Sequence, residues 1–234
     1  MSLAIVFKGP EGLVLAADSR VTLTFQATTP TAPASAGTSI LLVVPAFYDN
    51  ATKLLRVQGQ DYVAAVTYGL GTIGQNEPRT AHSFIPEFEA DLATEPRLSV
   101  EEFARRLGNF FLSQFQKYFT SGSTSENMYF LVGGYNENEP YGKIYLVTVP
   151  SNPTPIEQHT SIFGISWGGQ TQITSRILNG FDPGFVDHIE QKLGINSVDM
   201  QTACAEAQAM HALKIPYQFL PLQDCVDLSS LSDN

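Results

Sequence analysis

Met1-Ser2-Leu3-Ala4-Ile5-Val6-Phe7-Lys8-Gly9-Pro10-Glu11-Gly12-Leu13-Val14-Leu15-Ala16-Ala17-Asp18-Ser19-Arg20 is the stretch that decides the fold. Two apolar runs, Leu3 to Phe7 and Leu13 to Ala17, flank Gly9-Pro10-Glu11-Gly12, the pattern of two buried strands joined by a turn. A turn centred between Pro10 and Glu11 pairs residues whose numbers sum to about 21. Ser2 then lies beside Ser19 and one step from Asp18, a carboxylate that follows a fully apolar strand and needs a partner.

The chain start carries chemistry of its own. Ser2 is small enough for the preceding Met1 to be a substrate for removal, which would leave an α-amine and a hydroxyl on one residue. An unperturbed α-amine titrates at about 7.7–8.0, close to the best strength for a general base at neutral pH. Ser2 would then hold both nucleophile and base.

With these residues in view, Ile5-Val6-Phe7-Lys8 and Gly12-Leu13-Val14-Leu15-Ala16-Ala17-Asp18-Ser19-Arg20 resemble the opening of proteasome β-type subunits and their bacterial relatives, which are N-terminal nucleophile hydrolases. The resemblance implies that Asp18 is the family's catalytic Asp. Asp49 to Val57 and Tyr62 to Tyr68 read as two strands, and the resemblance further implies that Lys53 is the Lys beside the nucleophile, where an ammonium lowers the pKa of amine and hydroxyl. Gly69 matches the glycine whose backbone N–H donates to the oxyanion, with Gly71 as a substitute. The family usually has Thr as nucleophile, so Ser2 is a departure. Gly169 stands where the family has a Ser that assists the amine; Thr171 is the nearest hydroxyl in sequence. The Arg-Asp and Ser-Gly elements that follow the last helix in the family are absent.

Further along, Thr28 to Thr38 reads as a loop, and Ile40 to Val44 as a strand, a pocket wall or a subunit contact. A helix is expected from about Pro78 to Leu92, kinked at Pro86. Ser99-Val100-Glu101-Glu102 is a capping box, and Val100, Phe103, Leu107, Phe110, Phe111 and Phe115 form the stripe of a second helix down to Tyr118. Asn127 to Gly133 and Lys143 to Val149 are an antiparallel pair, and Ile162 to Ser166 is a further strand leading into a helix to Leu178. Asp182-Pro183 caps a helix ending at Leu193-Gly194, Ser197 starts another to about Leu213, and Tyr217 to Leu222 and Cys225 to Leu228 read as closing strands. This order predicts an α+β protein, a four-layer αββα sandwich of two stacked antiparallel sheets between helical layers, as one domain over residues 1–234.

Composition narrows the partners. Thirteen Lys and Arg against 23 Asp and Glu leave a net charge of −10 with no basic cluster, which disfavours nucleic acid and anionic membranes. The first apolar run is too short for a span and lacks a basic leader, so a cytoplasmic protein is expected. Cys204 and Cys225 have no metal or redox spacing, and His82, His159, His188 and His211 are scattered, so neither metal nor cofactor is expected. Charged residues are only 15% of the chain, and together with the ring-building habit of the family this predicts a homo-oligomer. The expected function is hydrolysis of a peptide or small amide by Ser2. The alternatives are a catalytically silent structural subunit and an amidase or acyl transferase on a small substrate.

Overall fold

The computed structural model describes residues 2–29, 40–74, 77–119, 126–160, 163–169, 171–194, 197–211 and 214–232. The first hairpin forms as the sequence predicts: β1 (Leu3–Lys8) and β2 (Leu13–Ala17) pair antiparallel with Ala4 opposite Ala17 and Val6 opposite Leu15. Gly9 N donates to Gly12 O at 2.9 Å and closes the turn, while Asp18 N donates to Leu3 O at 3.1 Å and carries the ladder one residue past Ala17. On its other side β1 pairs with β10 (Gly164–Gly169), placing Leu3 opposite Gly169. The resulting sheet has the order β10-β1-β2.

A second sheet, in the order β5-β6-β7-β8-β9, is built from β5 (Leu54–Leu55), β6 (Val63–Gly69), β7 (Met128–Gly134), β8 (Lys143–Val149) and β9 (Asn152–Gln158). β9 was not anticipated, because Pro153 and Pro155 argue against a ladder strand; it sits at the sheet edge, where a missing N–H costs nothing. Of the readings open for residues 40–44, the strand is the one observed: β4 (Ile40–Tyr48) pairs with β3 (Val21–Thr29) in a ribbon of its own. Thr28 and Thr29, expected in a loop, belong to β3, and residues 30–39 of that expected loop lie outside the described residues.

Alternation along β1 creates two cores. Leu3, Ile5 and Phe7 face outward against Ile165, Leu178, Leu220, Cys225 and Leu228, whereas Ala4 and Val6 face the second sheet and meet Val66, Leu131 and Ile144. The second sheet's other face packs on α1 (Ile85–Leu92) and α2 (Val100–Tyr118) through an aromatic core in which Phe111 lies tilted against Phe130 with centroids 4.6 Å apart and edge-on to Phe84 at 6.1 Å. Helix, sheet, sheet, helix is thus the layer order, and the expected αββα sandwich is the observed one.

Three expectations need correction. The helix from Pro78 with a kink at Pro86 is instead a single 3₁₀ turn, Ala81–Phe84, followed by α1. Pro86 lies in the first turn of α1, where its absent N–H has no partner to lose. The extended reading of residues 49–57 shrinks to the two residues of β5. The closing strands at 217–222 and 225–228 are a 3₁₀ turn, Tyr217–Phe219, and α6 (Leu222–Ser232). The buried residues of α6, Cys225 and Ser229, are four apart, a helical spacing that covers the outer face of β1 and β2. Before it come α3 (Thr171–Asn179), α4 (Pro183–Leu193) and α5 (Ser197–His211). Asp182 caps α4 by accepting from Gly184 N at 3.0 Å, and Gly194 ends it in the left-handed region at φ 63°, as the sequence signals. No helix among the described residues is long and apolar enough to cross a membrane.

Candidate active site

Four residues singled out by sequence converge at the open end of the first hairpin. Asp18 leaves β2 with its carboxylate turned back across the hairpin: Oδ1 accepts from Leu3 N at 2.6 Å and from Lys53 Nζ at 2.7 Å, and Oδ2 accepts from Arg20 N at 3.0 Å. The carboxylate that follows an apolar strand therefore finds an ammonium and two backbone N–H groups, which offset its desolvation. Lys53 is nearly buried, and its ammonium also donates to Arg20 O at 2.5 Å. Its own carbonyl accepts from Thr67 N at 3.1 Å, fastening the residue before β5 to β6. Asp18 and Lys53 thus tie Leu3, the first residue of β1, to the neighbouring sheet.

Ser2 and Gly69 meet across the two sheets. Gly69 N donates to Ser2 Oγ at 3.1 Å. Gly69 has φ 85°, and a Cβ there would lie 2.5 Å from Asn127 O and 2.7 Å from Tyr129 Cδ2, so only glycine fits and its N–H stays turned to the cleft. Ser2, Lys53 and Gly69 line one small pocket of about 40 Å³ with Thr52, Thr67 and Tyr68. Gly71, the substitute for Gly69, also borders this pocket, but it is Gly69 whose N–H reaches Ser2.

Gly169 is explained by the backbone of Ser2. At φ 96°, a Cβ on Gly169 would come within 1.8 Å of Ser2 O, so this position cannot carry a hydroxyl while β1 and β10 pair as they do. The side chain of Thr171 and all of Met1 lie outside the described residues.

Sequence reading missed two further participants. Asp49 accepts from Arg20 Nε at 2.6 Å, bracing the exposed segment after Asp18, and Ala51 N donates to Ser19 O at 2.9 Å beside it. Tyr68 packs between the sheets next to Gly69; burial, with the Tyr129 phenol adding to it, pushes its pKa up to about 12. The available signal was the Gly168-Gly169 pair, since consecutive glycines in a strand mark a close approach. Among the described residues no group of three His, Cys, Asp or Glu is arranged to hold a metal ion.

No family model matches the chain, and no curated protein matches it. Among solved structures it is similar to Anbu (ancestral beta-subunit) from Yersinia bercovieri, with a TM-score of 0.49 and 17% sequence identity over 99% of this chain and 76% of that one.

Proposed function

We propose that the chain is an amide-bond hydrolase in which Ser2, freed by removal of Met1, is the nucleophile. The observation that carries this reading is the 3.1 Å contact between Ser2 Oγ and Gly69 N–H, which sets a hydroxyl beside a fixed backbone donor in one pocket. In the reaction, Oγ attacks the substrate carbonyl, the α-amine takes the Oγ proton, and the Gly69 N–H turns to the developing oxyanion. The amine then protonates the leaving amine, and water releases the acyl group by the same route reversed. Lys53, held by Asp18, keeps positive charge near the amine and so favours its neutral, basic form.

A silent structural subunit is the second reading, favoured by Gly169, which leaves the corner next to Ser2 without a side chain.

The test uses an acylating electrophile. A β-lactone incubated with the processed protein is expected to add its mass to the peptide beginning at Ser2 and to no other. Ser2→Ala and a variant that keeps Met1 should both be unlabelled, and Ser2→Thr should be labelled, since Thr offers the same hydroxyl. Equal labelling of the Met1-retaining variant would remove the amine from the mechanism and leave the structural-subunit reading.

A further inference from the structure

Tyr68 occupies the space between the sheets where Ser2 and Gly69 meet. Side chains two apart share a face, so Ser2 continues the row of Ala4 and Val6 that looks toward the second sheet. Tyr68 packs in that same layer. One side of its ring stacks on Tyr129, centroids 4.9 Å apart and planes 6° from parallel. On β10 it lies against Gly168, where a Cβ would stand 2.1 Å from Tyr68 Cζ and 2.4 Å from Oη. Gly168 is opposite Ala4, so Oη sits two residues along the ladder from Ser2, on the face that Ser2 and Ala4 share.

The corner next to Ser2 has no room for a side chain of its own. A Cβ on Gly168 would strike Tyr68, and one on Gly169 would strike Ser2 O. Tyr68 lines the same pocket as Ser2 and Lys53. Its hydroxyl is packed against Gly168, beside the glycine that touches Ser2 O.

We propose that Tyr68 Oη is the hydrogen-bond partner of the Ser2 α-amine, an inference that rests on the nucleophile reading above. As Oγ forms its bond to the acyl carbon, its proton passes to the amine. The new ammonium donates a hydrogen bond to Oη without transferring the proton, so Tyr68 remains a neutral phenol throughout. With a β-lactone, the ring C–O bond breaks, the ester to Oγ forms, and the ammonium returns its proton to the released alkoxide.

The experiment measures the second-order rate of Ser2 acylation by an alkyl β-lactone from pH 5 to 9 in the processed wild type, Tyr68→Phe and Tyr129→Phe. Tyr68→Phe keeps the ring and removes the oxygen. It is expected to lower the plateau rate by about tenfold or more and to move the rise of the profile to lower pH, because the ammonium loses an acceptor. Tyr129→Phe, which keeps the stack, is expected to match wild type in both. Unchanged rate and midpoint in Tyr68→Phe, or equal losses in the two variants, would overturn the assignment while leaving Ser2 as nucleophile. An unlabelled wild type would overturn the nucleophile reading and this inference with it. Should Tyr68→Phe fail to fold, 3-fluorotyrosine at position 68 weakens the acceptor at nearly constant size. The same downward shift of the profile is then expected, and an unshifted profile overturns the proposal.

Discussion

Asp18 Oδ1 accepts from both Leu3 N and Lys53 Nζ, so the ion pair and the end of β1 share one oxygen atom. Lys53→Ala would leave that oxygen with one donor and would remove the donor to Arg20 O as well. The expected cost is about 1–3 kcal/mol, because the pair is mostly but not wholly removed from water. Ser2 acylation should fall far more than stability does, since the amine loses the charge that keeps it neutral near pH 7. Thermal unfolding and lactone labelling of the same preparation separate the two effects; labelling at the wild-type rate would take Lys53 out of the mechanism. Ser2 and Asp18 were legible as neighbours because a hairpin's register follows from its turn, whereas Lys53 and Gly69 were singled out by resemblance alone. Tyr68 was not, since its role comes from the sheet it faces and not from its own strand.

At the scale of elements, the β1 and β10 pairing is what fixes Ser2, and it closes on glycine. Gly169→Ala would place a methyl 1.8 Å from Ser2 O at a φ of 96°, so the ladder must open at its end or the backbone must turn. Strain of this kind costs about 1–3 kcal/mol, and here it falls where β1 leads out of Ser2. We expect a lowered Tm together with loss of Ser2 labelling; a variant that labels normally would show that the corner tolerates displacement. The same scale separates what could be read from what could not. The α2 stripe and its Ser99 cap, which accepts from Glu102 N at 3.2 Å, are written locally in residue types and spacing. The closing segment is not, because the short apolar runs between Tyr217 and Leu228 fit either period, and only the outer face of β1 and β2 selects a helix.

For the whole molecule, three buried phenols set the alkaline limit. Burial pushes Tyr68, Tyr145 and Tyr217 up to about 12 from an ordinary 10.0. The folded state therefore holds protons that the unfolded chain releases first, so stability is complete below pH 10 and declines as pH rises toward 12. Lys8 acts in the opposite sense: burial lowers its pKa below 10.5, and stability gains as pH rises to that value. The expected result is unfolding, followed by circular dichroism, between pH 10 and 12, with Tyr217→Phe shifting the midpoint upward; a midpoint below pH 9 would contradict it. Ile177, Phe185, Leu193, Val198, Met210 and Phe219 are exposed along the C-terminal helical part of the chain. We propose that this surface is covered by further copies of the chain, and expect sedimentation at micromolar concentration to show a species larger than 25.5 kDa. A 25.5 kDa species alone would count against it.

What the sequence by itself determined is the local part: the hairpin and its register, the strand pairs, the capped helices, and the residue types able to act at the chain start. These depend on neighbours a few positions apart, which turn chemistry and periodicity report directly. Tertiary structure alone decided that Gly69 N–H reaches Ser2 Oγ, that Gly169 is closed to any side chain, and that Tyr68 packs between the sheets against Gly168. Each of these is a contact between two sheets or two distant strands, and the distance between packed layers is set by the side chains of both, so it is written in neither strand alone.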